Sequence, residues 1–279
     1  MQIVAATIQQ LTNDFVSCST TPRLDAELIV AYLLKTTRTR LILHHHDHIS
    51  PEQLAILDQL RQRRIAGEPI AYLTNTREFY GLDFYVDARV LVPRPESELL
   101  VELAIAAAHR LNTAMVADIC TGSGCIAMAI ADTAPQLTVI ATDISGDALA
   151  VAQINRTALN LTQRVHLVRA DLCTPLAPIP VMVSNPPYTI LSDIDANVRD
   201  FEPHLALAGG DQDGASFYRT FAQLLPHHLA RPGFFACEID PRQVDIVAQL
   251  LQHAYPDGNV TRHNDLAGRP RVVAIQVPA

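Results

Sequence analysis

The stretch Ser184-Asn185-Pro186-Pro187-Tyr188 combines residue types that can hold a planar NH2 group. The side-chain oxygen of Asn185 is a hydrogen-bond acceptor. Proline lacks an amide proton and fixes φ, so consecutive prolines present backbone carbonyls rigidly. The Asn185 oxygen and the Pro186 carbonyl can each take one proton of an NH2, while Pro187 stiffens the turn and Tyr188 adds a flat face. The nitrogen of an amide or aromatic amine is a poor nucleophile because its lone pair is delocalised. Two acceptors aimed at its hydrogens hold it for attack on an already activated carbon, and alignment at near-attack distance supplies much of the rate. No strong general base is required, since the proton becomes acidic once the new bond forms and can leave to water. Tyr188 can also face a cationic donor or the substrate plane. Asn185, Pro186, Pro187 and Tyr188 could simply end a strand, so their placement decides between the two readings.

A second motif lies upstream. Asp118-Ile119-Cys120-Thr121-Gly122-Ser123-Gly124 follows the pattern acidic-x-small-x-Gly-x-Gly. Glycine lets the chain turn sharply and a ligand approach closely. The spacing is neither the GxGxxG of dinucleotide enzymes nor the Gly-Lys-Ser/Thr of a phosphate loop. Asp143 stands 21 positions beyond Gly122, where an acidic strand end can take both hydroxyls of a ribose. Residues Cys120, Thr121, Gly122, Ser123 and Gly124 with Asp143 fit an adenosine cofactor without demanding a pyrophosphate. S-adenosylmethionine fits best, and its sulfonium methyl is then the activated carbon. Cys120 stands where glycine is commoner. A positive φ there would cost about 1 kcal/mol, so an extended backbone is expected.

The elements that must position these residues can be read from periodicity. Val4, Ile8, Leu11 and Phe15 recur at helical spacing. Thr21-Pro22 reads as a cap followed by proline at the first helical position. Ser50, Pro51 and Gln53 form a capping box ahead of Leu54, Leu57 and Leu60. That helix reaches Arg61, Arg63 and Arg64 and stops near Gly67 and Pro69. Residues 71–92, with Tyr72, Phe79, Tyr80, Phe84 and Tyr85 around Gly81, read as a hairpin or two short strands. A helix follows from Glu96. From residue 114 strands and helices alternate, with strands at Met115–Ile119, Thr138–Thr142, Val165–Val168, Val181–Ser184, Phe234–Ile239, near Val260 and at Val272–Val277. Such alternation predicts a mainly parallel sheet with helices on both faces, binding ligand at the carboxyl ends of its strands. Both motifs fall at such ends.

Composition sets the frame. The 279 residues are 49% apolar and 18% charged, and the net charge is −8. This is a globular chain, and its charge opposes nonspecific grip on a nucleic acid. Five cysteines, none in a CxxC pair, argue against a disulfide framework or structural zinc. The start lacks the basic and apolar run of a signal peptide, and no apolar stretch approaches a membrane span. A cytoplasmic protein with no metal and no membrane partner is expected.

At this point the chain resembles a known family, the release-factor glutamine methyltransferases (the PrmC/HemK family). The resemblance covers nearly the whole sequence. It is carried by Val92-Pro93-Arg94-Pro95-Glu96, by Phe201-Glu202-Pro203 with Ala206-Leu207 and Gly209-Gly210-Asp211, by Glu238-Ile239 with Gln243, and by Asp265-Leu266-Ala267-Gly268-Arg269, beside the two motifs above. It implies a helical substrate-recognition domain over 1–70, a hairpin linker over 71–93 and a seven-stranded Rossmann-like methyltransferase domain over 94–279. It implies methylation of the side-chain amide of the glutamine in the Gly-Gly-Gln loop of peptide-chain release factors, which modulates translation termination. By position, Cys120–Gly124, Asp143, Leu172 and Asn185 would hold S-adenosylmethionine. Asn185, Pro186, Pro187 and Tyr188 would hold the glutamine, with Asn185, Pro186 and Tyr188 catalytic. A monomer is expected. Departures from the usual pattern are Cys120 for Gly, Ser97 for Thr, Thr189 for Ile, Asp240 for Gly and Pro270 for Asp, and none removes a group the chemistry needs.

Other residues invite functional readings. His44, His45, His46 and His48 suggest a metal, and His44 and His48 could share a helix face, but nothing completes a site. Arg61, Arg63 and Arg64 read equally as a solvated helix end or a contact for an acidic partner. Glu202 reads as an acceptor ordering the substrate lip rather than a base. Arg94 either binds a substrate carbonyl or pins the hairpin through a carboxylate. Two other functions compete: an adenine amino-methyltransferase on nucleic acid, which shares the Asn185 pocket but needs a basic groove, and a non-catalytic adaptor, which the intact Asn-Pro-Pro-Tyr opposes.

Overall fold

Helix starts near the N-terminus are set by local chemistry that the computed structural model, which describes residues 2–279, shows directly. Short β1 (Gln2–Ile3) pairs antiparallel with β2 (His48–Ile49). Helix α1 (Val4–Asp14) buries Val4, Ile8 and Leu11, and Phe15 beyond its end is buried with them. Helix α2 (Pro22–Leu33) begins at proline, but Thr21 makes no side-chain cap to the backbone; its hydroxyl meets Asp25 at 3.4 Å instead. The capping box of α3 (Pro51–Ile65) is complete: the Ser50 hydroxyl accepts from the Gln53 amide, and the Gln53 side chain accepts from the Ser50 amide. Helix α4 (Ile70–Thr74) replaces the strand expected to begin at residue 71. Pro69 starts it, and Ala71, Tyr72 and Leu73 are buried. Burial against neighbouring helices overrides the strand preference of an aromatic side chain.

The arginines at the end of α3 have partners close by. The Arg64 guanidinium donates to Asp25 at 2.9 Å and to the Cys18 carbonyl at 3.1 Å in a buried setting. Arg63 pairs with Glu68, and Arg61 with Asp58 and Asp14. His44 ends a 3-10 segment while His48 lies in β2, so they do not share a helix face. His44 meets Asp47 at 2.7 Å. Among the described residues no three His, Cys, Asp or Glu side chains are grouped to hold a metal. Residues 2–76 form one compact unit together with 196–201, which contains α8 (Ala196–Phe201).

The second unit comprises residues 77–195 and 202–279. Its hairpin is shorter than expected, with β3 (Arg77–Phe79) and β4 (Leu82–Phe84) joined by Tyr80 and Gly81, both at positive φ. Two such residues make the turn whose twist suits a hairpin. Phe79 and Phe84 stack edge to face at 6.2 Å beneath it. The remaining elements are α5 (Glu98–Arg110), β5 (Met115–Ile119), α6 (Cys125–Thr133), β6 (Thr138–Asp143), α7 (Gly146–Ala158), β7 (Val165–Arg169), β8 (Ile179–Ser184), α9 (His204–Leu207), α10 (Ser216–His228), β9 (Leu229–Glu238), α11 (Val244–Ala254), β10 (Asn259–Asn264) and β11 (Pro270–Val277).

The seven large strands form one sheet in the order β10-β11-β9-β8-β5-β6-β7. Five run parallel, and β11 and β10 close the edge antiparallel. Parallel strands covered on both faces must be apolar throughout, and Val181, Met182 and Val183 on β8 are fully buried. From β5 the chain builds outward to β6 and β7, then returns to β5's other side with β8. This reversal opens a crevice at the carboxyl ends of β5 and β8.

Candidate active site

Register brings the two motifs together. Ile119 and Ser184, the last residues of β5 and β8, are direct partners. The Ser184 hydroxyl donates to the Ile119 carbonyl at 2.8 Å. The loop after β5 and the Asn185 turn after β8 therefore leave the sheet side by side. On β5's other flank the Thr121 amide donates to the Thr142 carbonyl at 2.9 Å. This sets Asp143 beside the loop, where one carboxylate oxygen accepts from the Gly122 amide and the other from the Ser145 amide, both at 2.9 Å. Each oxygen has a further lone pair for a ligand hydroxyl. Burial pushes the Asp143 carboxyl up, and the backbone donors oppose that shift.

The loop turns on three residues of positive φ: Cys120 at 62°, Gly122 at 54° and Gly124 at 82°. The extended backbone expected at Cys120 is thus incorrect. Hydrogen bonds on both flanking strands fix the turn, and a left-handed cysteine costs about 1 kcal/mol. Burial drives its thiol pKa well upward, which favours the protonated form. The two glycines serve different ends. A Cβ on Gly122 would meet nothing within 4 Å, so its bare face leaves open space on the ligand side. A Cβ on Gly124 would lie 2.5 Å from the flexible end of Met128 and 3.3 Å from Ala152, so it faces the packed side of the loop, and its φ of 82° is what favours glycine there. Asp118 is fully buried and anchors the loop through the Thr121 hydroxyl at 2.6 Å and the Ala127 amide at 3.2 Å. Burial pushes its carboxyl up to about 7.

The Asn185 turn is tied from behind. Asn185 Nδ2 donates to the Ser97 hydroxyl at 3.0 Å, and Ser97 donates to Glu238 Oε2 at 2.5 Å. The Tyr188 hydroxyl donates to Glu238 Oε1 at 2.8 Å. The Tyr218 hydroxyl holds the Glu238 carbonyl at 2.7 Å. Burial raises the Glu238 carboxyl, while Ser97, Tyr188 and the nearby Arg271 charge pull it down. Burial and the adjacent Glu238 charge hold Tyr188 well above its ordinary range. The Tyr188 carbonyl accepts from Gln243, which also binds the Asp213 carbonyl. Gly214 passes so close that a Cβ would sit 2.3 Å from that Tyr188 oxygen. Across the following lip the Thr189 amide donates to the Leu207 carbonyl at 2.8 Å, and the Thr189 carbonyl accepts from the Gly209 amide at 3.0 Å. Glu202 orders the same lip, accepting from Arg94 at 2.5 Å and from the Val92 amide at 3.0 Å with its side chain almost fully covered. Arg94 therefore pins its segment through a carboxylate.

Cys120, Thr121, Gly122, Ser123, Asp143, Leu172, Asn185 and Pro187 line one cavity of about 240 Å³. Gly124, Pro186 and Tyr188 are not among its lining residues. Leu172 also has positive φ, 51°, and its carbonyl accepts from Thr142. The bare face of Gly122 and the carboxylate of Asp143 give this cavity the acceptors and space an adenosine cofactor requires. Sequence reasoning assigned no role to Asn155, yet its buried amide donates to the Ser123 and Tyr85 carbonyls and accepts from the Tyr85 amide. A polar residue on the buried face of α7 was the available signal. Arg89, Val90 and Leu91 also reach the cavity, and their sequence carried none.

A seven-stranded sheet of this order, with a glycine loop after β5, an acidic end on β6 and Asn-Pro-Pro-Tyr after β8, defines a class I methyltransferase. In fold it is similar to the ribosomal protein L11 methylase of Lactobacillus delbrueckii subsp. bulgaricus, with a TM-score of 0.50 at 21% identity over 70% of this chain and 84% of that one. Residues 6–74 match the PrmC N-terminal domain and residues 95–200 the methyltransferase small domain. The chain is 37% identical to the release factor glutamine methyltransferase of Koribacter versatilis over 92% of both chains. It is 39% identical to that of Moorella thermoacetica over 90% of this chain and 89% of the relative. The chain belongs to the release factor glutamine methyltransferase family.

Proposed function

We propose that this protein transfers a methyl group from S-adenosylmethionine to the side-chain amide nitrogen of the glutamine in the Gly-Gly-Gln loop of peptide-chain release factors. The observation that carries the reading is the meeting of Asn185 with the Cys120–Ser123 loop and Asp143 in one cavity wall. Gly122 leaves room for the cofactor, Asp143 offers acceptors for its ribose, and Leu172 gives an apolar surface for its base. S-adenosylmethionine supplies, when bound, a methyl group on a sulfonium. The Asn185 oxygen and the Pro186 carbonyl hold the two amide hydrogens, and Pro187 and Tyr188 shape the slot. One amide proton leaves to water as the nitrogen gains its methyl, so the chain need provide no base. Glu202, already engaged by Arg94 and Val92, is a structural acceptor. The helical unit is the substrate-recognition part. No helix among the described residues is long and apolar enough to cross a membrane, and we place the protein in the cytoplasm as a monomer without stable nucleic-acid binding.

Labelled S-adenosylmethionine, offered with an unmodified release factor, DNA and RNA in parallel, tests this. Label on the release factor alone is expected. Label on nucleic acid with none on the protein would transfer the same pocket to an adenine amino group and overturn the proposal.

A further inference from the structure

An asparagine side chain can present either end to a ligand, and only the oxygen can accept from a substrate NH2. Something in the fold must choose that end. Ser97, in the 3-10 turn Pro95–Ser97 before α5, is only 2% exposed and stands between Asn185 and Glu238. Glu238, at the end of β9, is 1% exposed. Two hydroxyls converge on its separate oxygens, Ser97 at 2.5 Å and Tyr188 at 2.8 Å. A carboxylate only accepts, so both hydroxyls must donate toward it. The Ser97 proton is then committed, and what Ser97 offers Asn185 is a lone pair. That lone pair takes Nδ2 and leaves Oδ1 as the end available to a ligand N–H. Reversing the amide would set its oxygen against the Ser97 oxygen with no proton between them.

We propose that Ser97 and Glu238 are positioning residues that fix the carboxamide of Asn185 oxygen-outward and the ring of Tyr188 beside it, and so set the acceptor that the substrate nitrogen requires. The proposal deepens the function given above and rests on it for its kinetic consequence, but not for the orientation itself. Ser97 lines the cavity beside Asn185 and acts through that amide, while Glu238 is not among the lining residues. Three segments far apart in sequence, at 97, 185–188 and 238, meet in one hydrogen-bonded row, and its direction is dictated from the buried acid outward.

The test compares Ser97→Thr with Ser97→Val in the full-length protein. The two replacements have nearly the same shape, and only threonine keeps the hydroxyl. Ser97→Thr is expected to keep kcat within about threefold, and Ser97→Val to lower it about tenfold or more, the scale of one lost buried hydrogen bond. The KM for release factor and the affinity for S-adenosylmethionine should hold within about twofold in both. Glu238→Gln, which brings a donor against two hydroxyls, should also lower kcat about tenfold. Ser97→Ala serves in place of valine if the larger side chain disturbs folding. Equal kcat in the threonine and valine variants, or full kcat in Glu238→Gln, would overturn the proposal. A second readout needs no substrate. The Asn185 side-chain NH2 signals in 15N-asparagine-labelled protein, assigned by their loss in Asn185→Ala, should match wild type in Ser97→Thr and move in Ser97→Val and Glu238→Gln. If they behave so while wild type methylates no release factor, the substrate assignment fails and the positioning network stands. If wild type methylates release factor while the signals ignore all three substitutions, the network fails alone.

Discussion

At the scale of single residues, the site relies on a few side chains and backbones in specific states. Asn185→Ala removes the acceptor but leaves its strand and the prolines in place. Transfer should fall on the order of 100-fold or more, as when one preorganised polar group is taken from a reacting centre, with the melting temperature nearly unchanged; retained activity would refute the role given to Asn185. Cys120 tests the loop backbone. Glycine adopts φ of 62° freely, whereas a β-branched residue there is a true outlier. Cys120→Gly should therefore stay within about 1 kcal/mol of wild type in urea unfolding, and Cys120→Val should lose about 2 kcal/mol. Equal behaviour would mean that the turn is not held left-handed. The type and place of Asn185 were legible because its neighbours are unusual. The left-handed backbone of Cys120 was not, since a cysteine side chain announces no φ. Glu238 carried a faint signal as the acid that ends the apolar run Phe234-Phe235-Ala236-Cys237.

Among the elements, the turns after β5, β6 and β8 carry the site, and buried polar groups hold them. Asp118 sits beneath the first turn, and burial raises its carboxyl to about 7. Between about pH 4 and pH 7 the folded chain keeps a proton there that the unfolded chain has released. Stability from this group therefore declines as pH rises through that window, and the full cost of burying the charge is present above it. The decline amounts to roughly 4 kcal/mol at most. Asp118→Asn cannot ionise and should flatten this slope, read as chemical unfolding at several pH values; an unchanged slope would show that Asp118 does not titrate there. Asp143 and Glu238 shift in the same direction, so the difference between variant and wild type isolates Asp118. Asn155 staples the segment at Tyr85 to the loop at Ser123. Asn155→Leu should cost about 2 kcal/mol or more by stranding buried backbone groups and should weaken cofactor binding with it. Most strands were legible because apolar runs between turn residues mark them directly. The helix at 70–74 was not, because an isolated Tyr-Leu-Thr stretch suits either state until its neighbours bury it.

For the whole molecule, the chain forms two compact units, and the helical one, which we propose recognises the substrate, has a buried anchor. In the helical unit that anchor is Arg64, whose side chain and its partner Asp25 are both about nine-tenths covered. Removing one member of such a pair strands the other, at a cost of about 3–5 kcal/mol. Arg64→Ala should create an early thermal transition for the helical unit while S-adenosylmethionine binding by the sheet unit persists, and it should raise KM for the release factor; loss of cofactor binding in parallel would contradict that division. The division itself was only partly legible. A change from helical to alternating pattern near residue 70 is visible along the chain, but the membership of 196–201 in the helical unit is a tertiary fact without local periodicity. The claim on which all three scales converge is that Asn185 presents an amide acceptor to the glutamine of a release factor. Peptide mass spectrometry of a release factor after incubation with S-adenosylmethionine and either wild type or Asn185→Ala tests it most directly. The account predicts a single methyl on the Gly-Gly-Gln glutamine with wild type and none with the variant. A methyl on any other residue, or equal methylation by the variant, would contradict it.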